Sequence, residues 1–125
     1  MRLLRIAATT VALCGAGIGL AGPASADLDP GDYTMTMTMS NRPFFWPGTT
    51  YGWHTVDCGP QCRTVFTSQF PDDPWNLTMQ RNMWTDIHLE SVWYGPFTVT
   101  VDPNTLAGRV TYHNGGWYNF QLTRN

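Results

Sequence analysis

Apolar and polar residues alternate along most of this chain, and that period of two limits its fold more than any other feature. Its purest instance is "YTMTMTM", Tyr33 to Met39. Side chains two apart on a strand share a face, so each such run offers one apolar face to a core. No window shows the spacing of three and four that an amphipathic helix requires. The expectation is therefore an all-β domain.

Strand-like runs cover residues 32–40, 51–57, 63–68, 75–81, 85–90, 97–101, 109–113 and 117–123, separated by stretches rich in Pro, Gly, Asn and Asp. Such punctuation marks turns and short loops. "FTVTV", "DPNTLAG", "RVTYH", "NGG" and "WYNFQLT" read as two successive hairpins, with Gly115 and Gly116 suited to a tight turn. Seven or eight short strands joined this way predict an antiparallel up-and-down meander, closed as a small barrel or folded as a sandwich. Closure would also remove the exposed edges on which β-proteins aggregate.

The first 26 residues read differently. Arg2 and Arg5 precede an uncharged run from Ile6 to Ala26, rich in Ala, Leu and Gly, that ends in "ASA". That is the layout of a secretory signal peptide, with cleavage expected after Ala26 and a single domain over 27–125. Glycines and Pro23 break the run, and no later apolar stretch approaches the ~20 residues of a membrane span. Leu13 is a poor residue before a lipid-modified cysteine, so Cys14 is not expected to carry an anchor. Residues 27–125 hold five arginines, no lysine and nine acids. A net charge of −4 without basic clusters argues against nucleic acid and against acidic membranes as partners.

Two cysteines follow the signal segment, Cys58 and Cys62 in "CGPQC". An even pair in an exported chain is expected to oxidise, and Gly59 and Pro60 between strand-like flanks make the bond a clasp across a hairpin turn. A redox pair uses two intervening residues ahead of a helix, and a metal site would need further thiolates.

"GDYTM" opening the first strand, a tryptophan shortly before "CGPQC", a later tryptophan, "VDPNTLAG" and a terminal "FQLT" resemble small exported proteins of mycobacteria and related actinobacteria. The likeness spans most of residues 27–125, and its most specific elements are turns. It implies an extracytoplasmic location and a β-rich fold, and no activity. Relatives with this pattern carry a second cysteine pair, absent here, so packing alone would hold the second half.

Three sets of residues are candidate sites. Met35, Met37 and Met39 lie on one strand face, and thioethers are soft ligands suited to Cu(I). The same residues equally fill a core left irregular by bulky aromatics. Asp86, His88 and Glu90 share the face opposite Ile87 and Leu89; they offer oxygen and nitrogen ligands to Zn²⁺, or else form an ordinary solvated strand face. The aromatics form the third set: Phe44, Phe45 and Trp46 in "PFFWP", with Trp53 and Trp117. Exposed, they would contact lipid or glycan; buried, the PFFWP rings would plug one end of a barrel.

No "GxSxG" occurs, no free thiol remains beyond the signal segment and no lysine is present, so the chain is read as non-catalytic and without a cofactor. The expected function is that of a monomeric extracytoplasmic or cell-envelope-associated binding protein. Its ligand would be at most a small apolar or glycan molecule. The alternative is an extracytoplasmic Cu(I) or Zn(II) binder.

Overall fold

A computed structural model of the chain describes residues 27–89 and 95–125. The proposed signal peptide and Glu90 lie outside the described residues. Eight strands follow one another: β1 (Gly31–Ser40), β2 (Thr50–Gly59), β3 (Cys62–Thr67), β4 (Trp75–Gln80), β5 (Met83–His88), β6 (Phe97–Val101), β7 (Ala107–Tyr112) and β8 (Trp117–Arg124). Each pairs antiparallel with the next, and β8 pairs back onto β1, so the meander closes as a barrel rather than a sandwich. Among the described residues no helix is long and apolar enough to cross a membrane.

Alternation sorts side chains into and out of the barrel. Tyr33, Met35 and Met37 of β1, Trp53 of β2, Val65 of β3, Trp75 and Leu77 of β4 and Trp84 of β5 are all buried. From the other side come Phe97, Val99 and Val101 of β6, Val110 and Tyr112 of β7, and Tyr118, Phe120 and Leu122 of β8. Rings carry much of this core: the Trp53 and Trp75 indoles meet edge-on at 5.4 Å, and Trp75 meets Phe97 at the same centroid distance. A small barrel filled this way has its interior occupied by side chains.

Both ends are stoppered. Leu28, fully buried, closes the end that carries the cysteine turn, and the neighbouring Asp27 Oδ1 accepts the Trp84 indole N–H at 3.0 Å. Arg63 secures this segment by donating to the Leu28 carbonyl at 2.8 Å while lying over the Trp84 ring. Phe45 closes the opposite end, against Tyr112 and Tyr118 at 5.5 and 5.1 Å. Odd-numbered strands run towards that second end, called here the loop end, where the segments 41–49, 68–74 and 113–116 gather.

The expected disulfide joins Cys58 to Cys62 with Cα atoms 5.0 Å apart, across the β2–β3 turn where Gly59 takes a φ of 142°. Closing so short a loop contributes about 2 kcal/mol by chain entropy. Barrel closure, rather than a second bond, ties down the later strands. β8 pairs with β1 over seven positions, from Tyr33↔Arg124 to Ser40↔Tyr118.

Candidate functional site

The loop end is where the aromatic cluster and the acid–histidine cluster meet. "NRPFFWPGT" is a tightly bonded loop rather than a loose one. The Asn41 side chain donates to the Gly115 carbonyl at 2.9 Å and accepts from Trp117 N at 2.7 Å. Ser40 Oγ donates towards the Phe45 carbonyl at 2.6 Å, and Arg42 reaches the Asn114 carbonyl at 3.0 Å. Backbone bonds from Gly48 N to Met37 O and from Thr49 N to Trp46 O return the loop to the barrel.

This frame splits the aromatic cluster. Phe45 turns inward as the stopper, 5 % exposed, while its neighbours Phe44 and Trp46 point outward at 56 % and 69 %. Burial at the barrel end thus describes Phe45, and exposure describes Phe44 and Trp46. Trp53 is a correction: it faces the barrel interior at 1 % exposure and offers no contact surface, because its parity on β2 matches buried Thr55 rather than exposed His54. Trp117 is half-buried under the Arg109 guanidinium, 4.3 Å from its ring centre.

A chain of ring contacts leads from the stopper to the histidine. Phe45 stacks on Tyr112, Tyr112 meets Phe97 at 5.5 Å, and Phe97 stacks on His88 at 4.9 Å. Here the structure inverts the sequence reading of "WTDIHLE". Asp86 and His88 share the inward parity of Trp84, and Ile87 and Leu89 are the exposed residues, at 56 % and 65 %. The acid–imidazole face is not solvated: the His88 and Asp86 side chains are only 14 % and 12 % exposed.

Asp73, in the proline-flanked stretch between β3 and β4, is the third member. The turn from Phe70 to Asp73, closed by Asp73 N to Phe70 O, brings its carboxylate to His88 Nε2 at 2.8 Å. Asp86 Oδ2 stands 3.2 Å from His88 Nδ1 and accepts the Asn76 N–H at the same distance. The β4–β5 ladder ends at Thr78↔Thr85, so Asp86 supplies a backbone partner where the strands part. A neutral imidazole donates from one nitrogen only. Both bonds are therefore made together when the ring carries two protons, or when Asp86 carries one.

Those carboxylates sit at opposite nitrogens of one ring and so do not converge on a common point. Among the described residues no group of three His, Cys, Asp or Glu is placed to hold a metal ion. The methionines do not converge either. Met35 and Met37 are core at 0 % and 2 %, but the β1–β8 register shifts between Met37 and Met39, and Met39 turns outward at 58 %. That bulge corrects the expectation that all three share a face.

Burial raises the Asp86 pKa above the ordinary carboxylate value, and neighbouring Asp73 adds to the rise; the hydrogen bond and charge of His88 and the Asn76 N–H act against it. A raised carboxyl binds more protons folded than unfolded, so its contribution to stability is lost as pH climbs from about 4. Asp86→Asn keeps an oxygen for Asn76 and removes the titration. Urea melts from pH 4 to 7 should show the stability difference between variant and wild type shifting steadily in favour of the variant as pH rises. Parallel curves would mean that burial does not govern this carboxyl.

On the outer wall, Asp32 Oδ1 lies 2.6 Å from His54 Nδ1, an exposed pair in one row with Phe66 across β1, β2 and β3. A shallow groove of about 420 Å³ runs beside it over Gly52 and Ser68. Ser68 Oγ accepts the Gly52 N–H at 2.8 Å and makes no bond to His54, so the row lacks the serine–histidine link of a hydrolase triad. Comparison with protein-family models, with curated proteins and with solved structures finds no match for this chain.

Proposed function

We propose that this is an exported, non-catalytic binding domain that meets a component of the cell envelope through the loop end of its barrel. One observation carries the reading: Phe44 and Trp46 are held in water by a loop anchored through Ser40, Asn41 and Arg42. Two large rings more than half exposed on an ordered loop forgo part of the about 1.5–3 kcal/mol that full burial of such a side chain is worth, a cost that binding would recover. An ordered loop also loses little entropy when a partner docks. The barrel interior supports an external contact, since Leu28 and Phe45 close both ends over a packed core. Export is supported by the basic, then apolar, then small-residue order of the first 26 residues.

Co-sedimentation of the purified protein with isolated cell envelopes tests the reading. The expected result is retention of the wild type and loss of retention in Phe44→Ser/Trp46→Ser, with the variant's melting curve unchanged. Equal retention of wild type and variant would overturn it.

A further inference from the structure

All six exposed large apolar side chains of the described residues belong to one end of the barrel. Met39, Phe66 and Ile87 are the penultimate residues of β1, β3 and β5, three alternate strands that run towards the loop end and point these side chains outward at its rim. Phe44, Trp46 and Leu89 lie in the segments just beyond. The opposite end carries the Asp57–Arg63 ion pair, Arg81, Asp102 and Arg124 instead. From one end to the other, the barrel is amphipathic along its axis.

Resting on the reading of Phe44 and Trp46 as contact residues, we infer that the loop end docks on a lipid layer whose surface is uncharged or zwitterionic. Geometry favours a layer over a small molecule. Side chains on three alternate strands and two loops encircle part of the rim, and an extended surface touches them together where a single sugar or acyl chain would reach one or two. Exposed rings on a loop suit a deformable phase, with indole and phenyl groups at the level of the headgroups. A second copy would have to cover about 800 Å² per partner with complementary shape, more than two exposed loop rings and three rim side chains of alternate strands supply. Charge selects the kind of lipid. The chain has no lysine, and Asp72 and Asp73 outweigh Arg42 at the same end, so the balance of charge there does not favour an anionic surface.

Sucrose-loaded vesicles of dioleoylphosphatidylcholine test this, with a second set carrying brominated acyl chains to quench indoles that enter the layer. The purified protein should sediment with both sets and lose fluorescence on the brominated one. Phe44→Ser/Trp46→Ser should weaken sedimentation at least ~10-fold, and Phe66→Ser/Ile87→Ser should weaken it less, as expected when apolar area leaves the contact. Arg81→Ser, at the opposite end, should match wild type. No sedimentation of wild type, sedimentation only when phosphatidylglycerol is added, or a dimer broken by Phe44→Ser/Trp46→Ser without vesicle binding would each overturn the inference. If Phe44 and Trp46 govern envelope retention while phosphatidylcholine vesicles stay bare, the binding-domain reading stands and the lipid inference falls.

Discussion

Trp75→Ala is expected to lower the stability of the barrel by about 4 kcal/mol, the usual cost of deleting a fully buried large aromatic. Trp75 is 1 % exposed and packs edge-on against both Trp53 and Phe97, so its loss opens a cavity between rings contributed by β2, β4 and β6. Strands on opposite walls cannot close such a gap without breaking the hydrogen-bonded circuit, and the site therefore collapses poorly. For a domain of this size, the midpoint of thermal unfolding should fall by roughly 15–30 °C. Trp75→Phe should cost much less. The Trp75 indole nitrogen is buried with no acceptor among the described residues, so phenylalanine keeps most of the ring packing and removes an unsatisfied donor. Urea denaturation of the two variants checks this. A Phe variant as damaged as the Ala variant would show that the whole indole, and not a phenyl-sized part of it, is needed there.

What the sequence made legible follows from parity. Where a run holds a tryptophan, tyrosine or valine on one parity and threonines on the other, the inward face is unambiguous, as in "YTMTM" and "FTVTV". Strand number, the meander and the clasp at Cys58 and Cys62 were readable for that reason, since turn residues punctuate every run. "WTDIHLE" failed on one residue. Starting the strand at Thr85 leaves Ile87 and Leu89 as its only apolar markers, whereas β5 begins at Met83, and Trp84 fixes the parity that carries Asp86 and His88 inward. A shift of one residue exchanges the two faces of a strand. Met39 failed by a bulge, which no local pattern announces. Asp73 was invisible as a site residue because its relation to His88 spans fifteen positions and depends on the turn that precedes β4 folding back towards the end of β5.

Gly108→Ala is expected to cost about 3 kcal/mol, at the upper end for inserting one methyl into a packed interior. Gly108 has inward parity on β7 and pairs with Phe120 of β8, whose ring lies across it. A Cβ at this position would stand 2.3 Å from Phe120 Cζ and 2.6 Å from the Thr100 carbonyl oxygen. The first clash involves a ring that is itself wedged: Phe120 touches Trp53 at 5.3 Å and Tyr118 at 6.2 Å, so it cannot swing aside without disturbing the central rings. The second involves the backbone of β6. Trimming the ring therefore should not restore the protein. Gly108→Ala/Phe120→Leu ought to remain well below Phe120→Leu alone, because the carbonyl contact persists. Full recovery in the double variant would place the whole cost on the ring, and a Gly108→Ala loss under about 0.5 kcal/mol, the ordinary scatter of surface substitutions, would show that β6 and β7 can separate freely. Gly108 thus lets a backbone and a phenyl ring occupy the place of a side chain, which is how so small a barrel closes around three tryptophans.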